Sequence, residues 1–115
     1  MILLIFMLYS HNKLTKVCYE IINISNILED FIVDEDWDNG YDKTIELIES
    51  IKTNSSPLSL YINHTEFDNI NCEAIKLTQY IETRDNKDSL SSIHLIKFSA
   101  ETILRLQEID IKNIF

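Results

Sequence analysis

Carboxylates are the commonest chemically active groups in this 115-residue chain, 19 in all, and several stand together: Glu29 with Asp30, Asp34-Glu35-Asp36, and Glu46 with Glu49. Acid–base catalysis needs two carboxyl groups whose environments push their pKa values apart. A run of neighbouring acids on a polar stretch shares one environment and reads as solvated surface. The three histidines, His11, His64 and His94, lie in separate segments, and none has a second ligand at the spacing that brings two onto one helical face, so no metal site is expected. Gly40 is the sole glycine. It sits in Asp38-Asn-Gly-Tyr41 with no Ser or Cys beside it, which leaves neither an oxyanion-hole turn nor a Gly-rich phosphate cradle. The expectation is a chain with no catalytic residues and no cofactor.

Cys18 and Cys72 are far apart and form no CxxC, which reads as two reduced, mostly buried thiols, with one long-range bridge as the alternative. Trp37, the lone tryptophan, stands inside the acidic stretch. A lone Trp is either a core plug or an interface anchor, and burial is the preferred reading. Three Asn-x-Ser/Thr triplets, at Asn23, Asn54 and Asn63, would accept sugars only in a secreted chain.

These side chains must be held by a scaffold whose class the composition limits. The length suits one domain with one core. Apolar residues make up 45% of the chain, whereas Gly and Pro occur once each, at Gly40 and Pro57, too few for the hairpin turns of a sheet protein. The expected class is therefore all-α, with helices joined by short polar loops. A net charge of −9 repels phosphate backbones and anionic headgroups, so nucleic acid is excluded as an expected partner. The apolar run Met1-Ile-Leu-Leu-Ile-Phe-Met-Leu-Tyr9 is shorter than the roughly 20 residues of a membrane span and lacks the basic start of a signal peptide. It is read as a buried first helix, with secretion as the rival.

Apolar spacing divides the remainder. Val17, Ile21, Ile24, Leu28 and Phe31 draw one stripe down a helix over 15–33, which the acidic run and Asn39-Gly40 are expected to end. Tyr41, Ile45, Ile48 and Ile51 or Lys52 predict a helix over 41–52, and Pro57 opens a short one over 57–62. Phe67, Ile70, Ala74, Leu77 and Ile81, widened by Ile75 and Tyr80, mark a central helix over 66–82. After Asp88 or Ser89 as cap, Ile93, Ile96, Ala100, Ile103 and Leu104 repeat the pattern. Leu90, Leu95, Phe98 and Leu106 make that helix apolar on a second side, so one face packs on the core while another meets a partner. The tail 109–115 alternates as a weak strand would, but a short seventh helix suits the rest better, giving a set of six to seven helices.

This order of elements, with Leu28-Glu-Asp-Phe-Ile-Val-Asp-Glu-Asp36, the helix starting at Tyr41, the Pro57-Leu58 turn and Asn69-Ile-Asn-Cys-Glu-Ala-Ile-Lys76, resembles the short, single-domain poxvirus Bcl-2-like immunomodulators. The resemblance implies a Bcl-2-like bundle around a central helix. It also implies action in the infected cell's cytoplasm, where a virulence factor of this kind binds host signalling or pro-apoptotic proteins and inhibits NF-κB and interferon pathways. A groove would be lined by Ile45, Ile48, Leu58, Tyr61, Ile70, Ala74 and Leu77, with Lys76 as its cation, unless these residues fill the core. A homodimer face would use Ile2, Ile5, Phe6 and Tyr9 with Ile93, Lys97 and Ala100. The chain has no Arg between residues 66 and 82, where death-motif binders carry one, so the implied role shifts toward inflammatory signalling. Read without the resemblance, the same features describe a generic or secreted small α-helical interaction domain.

Overall fold

The computed structural model describes the backbone of residues 2–54 and 57–114 and the side chains of 15–53 and 67–106. Those residues form four helices and no strand: α1 (Ile2–Val33), α2 (Trp37–Asn54), α3 (Pro57–Glu82) and α4 (Asn86–Ile114). The all-α expectation holds at that level, but six to seven helices do not. Helix α1 runs unbroken through Ser10-His-Asn-Lys13, α3 through Asn63-His-Thr65, and α4 through the tail. Such residues serve as caps only where the chain already turns. With neither Gly nor Pro among them, each costs a helix interior only about 0.5 kcal/mol against Ala.

Helices end where the backbone enters the left-handed region, and they do so twice in the same way. Glu35 (φ 60°) and Arg84 (φ 55°) each follow a helix end. At the first corner the Glu35 N–H donates to the Ile32 carbonyl (3.0 Å) and the Asp36 N–H to that of Phe31 (2.8 Å). At the second, Arg84 donates to Ile81 (3.0 Å) and Asp85 to Tyr80 (2.8 Å). Both are Schellman closures, which satisfy the orphan carbonyls of the ending helix. The next residue then caps the following helix: Asp36 accepts from the Asn39 N–H at 3.4 Å, and Asp85 from the Asp88 N–H at 3.1 Å. A side-chain hydrogen bond with Asp85, and then the charge of Asp85, raise the Asp88 carboxyl above its ordinary value.

Two such tight corners force antiparallel neighbours. Helix α1 packs along α2 and α4, α3 packs along α2 and α4, and α1 barely meets α3. The helices therefore occupy the corners of a square in chain order, a four-helix bundle measuring 51 × 22 × 19 Å. No helix is central, so a Bcl-2-like arrangement around the segment 66–82 is not what the chain adopts.

The core is made by the stripes that periodicity marks. Val17, Ile21, Ile24, Leu28 and Ile32 come from α1, Phe67, Ile70, Ala74, Leu77 and Ile81 from α3, and Ile93, Ile96, Ala100 and Ile103 from α4. Two details differ from expectation. Ile32, not Phe31, closes the α1 stripe, and α2 buries Thr44, Leu47 and Ile51, with Tyr41 and Ile48 packed from the side. Gly40 is the cause of the second. Instead of ending a helix it lies in the first turns of α2 with its bare Cα against α1, where an added Cβ would sit 3.1 Å from Ile32 Cδ1. That approach turns the 40–44–47–51 face inward, and the Thr44 hydroxyl is satisfied by donating to the Gly40 carbonyl at 2.8 Å.

Polar links tie the helices across the bundle. The Asn86 amide donates to the Ile32 carbonyl at 3.2 Å, the Ser92 hydroxyl donates to Glu73 at 2.8 Å, and Lys97 Nζ lies 3.2 Å from Glu29.

Candidate protein-docking surface

The side chains with chemical potential are dispersed by this fold. Among the described residues no group of three or more His, Cys, Asp or Glu could hold a metal. His94 on α4 stands 3.7 Å from Glu29 on α1; His11 and His64 lie outside the described side chains. Of the paired carboxylates, Glu46 bridges to Lys43 at 3.0 Å, Glu29 to Lys97, and Asp34 and Glu35 are exposed. Both cysteines are free. Cys18 is fully buried in α1, and burial pushes its thiol up to about 12, whereas Cys72, expected inside, is exposed on α3.

Among the described residues assigned to a groove, most fill the core or pack at its edge. Ile70, Ala74 and Leu77 are sealed in the core, Ile48 packs against its edge, and Ile45 is half-buried on α2. Lys76 is exposed and belongs to a different face, a shallow cleft of about 320 Å³ between α3 and α4 lined also by Asn69, Cys72, Glu73, Leu95 and Ser99. Leu58 and Tyr61 lie outside the described side chains, as do Ile2, Ile5, Phe6 and Tyr9 of the proposed dimer face. The other half of that face is not a surface: Ile93 and Ala100 have no exposure, and Lys97 is held by Glu29. The spacing alone does not choose between the two placements, because α4 carries two apolar stripes and either fits a core.

The second stripe is what the sequence could not rank. Leu95 is 49% exposed, Phe98 59% and Leu106 46%, on the side of α4 opposite the buried Ile93, Ile96, Ala100 and Ile103. Thr102 continues the row, giving steps of three, four and four residues along one helical face. Arg105 is turned onto it, its guanidinium carbon 5.7 Å from the Phe98 ring centroid and its Nη2 3.4 Å from the Thr102 hydroxyl. No carboxylate stands within the row from Leu95 to Leu106, although Glu101 flanks it. The whole of α4 is charge-balanced, with Lys87, Lys97, Arg105 and Lys112 against Asp88, Glu101, Glu108 and Asp110. Tyr19, Val33 and Ile75 are also exposed, but each stands on another helix or at a helix end.

A second feature lies at the corner end of the bundle. A cleft of about 290 Å³ opens between the start of α2 and the end of α3, lined by Trp37, Asp38, Tyr41, Ile81, Glu82 and Arg84. Trp37 and Tyr41 are half-buried there and pack against the core from outside. The lone Trp is thus part plug and part surface.

No described helix is long and apolar enough to cross a membrane. A family model described as a domain of unknown function, DUF4363, matches residues 8–114. No curated protein and no solved structure matches the chain. The resemblance to poxvirus Bcl-2-like proteins is therefore corrected: the family found spans nearly the whole chain and is a different one. The likeness rested on scattered apolar residues and loop positions, which any bundle of amphipathic helices supplies.

Proposed function

Because the chain belongs to the DUF4363 family, whose description names no activity, we propose from its own surface that it is a non-enzymatic interaction domain receiving a helix of a partner protein on the outer face of α4. One observation carries this reading: α4 completes its core stripe with Ile93, Ile96, Ala100 and Ile103 and still exposes Leu95, Phe98 and Leu106 in helical register. Apolar steps of three and four residues form the ridge that another helix's groove accepts. A helix needing only one buried face gains nothing in stability from the second. Its charge balance also removes the repulsion that the acidic remainder of the surface offers to most proteins.

A photo-crosslinking residue placed at Phe98, with the same probe at Glu46 as control, tests the reading in the source cells. The expected result is a discrete protein adduct from position 98 and none from 46. Its partner, identified and purified, should bind the wild type at least about tenfold more tightly than Phe98→Asp, a loss typical of a central apolar anchor. An adduct equal in mass to two copies would make the face a self-association surface instead. If no discrete adduct forms, or Phe98→Asp binds as well as wild type, the proposal fails. Folding should be unaffected: Phe98→Ser should shift stability by less than about 0.5 kcal/mol, whereas Ile96→Ala should cost about 2–4 kcal/mol.

A further inference from the structure

Charge is distributed very unevenly along this chain. Residues 29 to 49 hold nine carboxylates and a single cation, Lys43, a net of −8 out of the total −9. They cover the end of α1, the first corner and most of α2, so the acidity is gathered at one end and along one edge of the rod. Lys43 is engaged with Glu46. The cleft between α2 and α3 opens inside this field.

The lining of the cleft has the chemistry of a cation receptor. Trp37 and Tyr41, one helical turn apart on α2, offer aromatic faces, and Ile81 on α3 offers an apolar floor. Asp38 and Glu82 contribute carboxylates from the two helices, and neither pairs with a cation among the described residues. An aliphatic stem laid on Ile81 with its charged head among aromatic faces and carboxylates is how Lys and Arg side chains are held. Arg84 on the same lining opposes this and reduces the local charge to −1, so Arg84 acts as a brake on the two carboxylates that would meet the cation. The volume, about 290 Å³, suits one long side chain better than a cofactor-sized molecule.

We infer that this cleft docks a basic segment of a partner protein, inserting one Arg or Lys side chain between Trp37, Tyr41, Asp38 and Glu82. The site is separate from the α4 face and stands whether or not that face binds a helix. Trp37 is the only tryptophan, so its fluorescence reports the cleft directly. The experiment titrates the full chain with a twelve-residue peptide alternating Arg and Ala, and with the same peptide carrying neutral citrulline. A saturable change is expected for the Arg peptide alone, weakening as salt is added. Asp38→Asn with Glu82→Gln should weaken binding about fivefold, while Glu46→Gln with Glu49→Gln, on the same acidic edge but outside the cleft, should change it less than about twofold. Arg84→Gln should tighten it by about two- to fivefold, a gain that no misfolded variant would show. The proposal is overturned if the citrulline peptide does as well, if the edge variant weakens binding as much as the cleft variant, or if Arg84→Gln fails to tighten it.

Discussion

Cys18 and Cys72 illustrate how placement alone separates two identical side chains. Cys72 faces water on α3, while Cys18 is sealed between helices and holds its proton up to about pH 12. A thiol reagent at neutral pH should therefore modify Cys72 quickly and Cys18 only on unfolding, which counting labelled sites by mass spectrometry with and without denaturant would show. The raised pKa also has a signed effect on stability. Below about pH 9 the thiol is protonated in both states and the shift contributes nothing. Between about 9 and 12 only the unfolded chain ionises it, so stability falls as pH rises through that window. Cys18→Ala should lose the core contacts yet show a flatter decline above pH 9. Residue type alone places both thiols inside, and only Cys18 is there, because thiols are buried by habit and not by rule.

At the scale of elements, the corners decide the fold. Glu35 and Arg84 occupy left-handed positions where a Cβ costs roughly 1 kcal/mol and Gly costs none. Glu35→Gly and Arg84→Gly should each raise the unfolding free energy by about that amount, whereas Asp36→Ala and Asp85→Ala should each lower it by about 1 kcal/mol. Urea titration of the variants checks both. These corners also explain what was legible beforehand. The stripes of α1, α3 and α4 were readable almost residue by residue, since burial leaves a period of 3.6. The α2 face was off by one position because Gly40 and Thr44, its inward residues, are not apolar. Helix number was overcounted because Asn, Ser and Thr carry capping potential wherever they stand. The outer face of α4 was visible as surplus hydrophobicity, but which of its two stripes faced solvent depended on where α1 and α3 lay.

For the whole molecule, the dominant property is its electrical asymmetry. Nine carboxylates within 21 residues repel one another across an exposed edge. Raising salt from about 0.01 to 0.5 M shortens the screening length severalfold, so the melting temperature should climb by a few degrees; a fall would show that attractive pairs such as Lys97 with Glu29 dominate instead. The same asymmetry assigns the two proposed surfaces to different kinds of encounter, the acidic end responding to salt and the α4 stripe not.

The paired corners carry one more implication, for how the chain finds its structure. Each is closed by hydrogen bonds spanning only a few residues, and both lie at the same end of the rod, joined by Asn86 to Ile32. Short loops lose the least entropy on closing. Each helical hairpin is thus expected to start from its own corner and zip away from it, so that folding is two local events followed by the meeting of two halves, in which α1 finds α4 across the whole length of the chain.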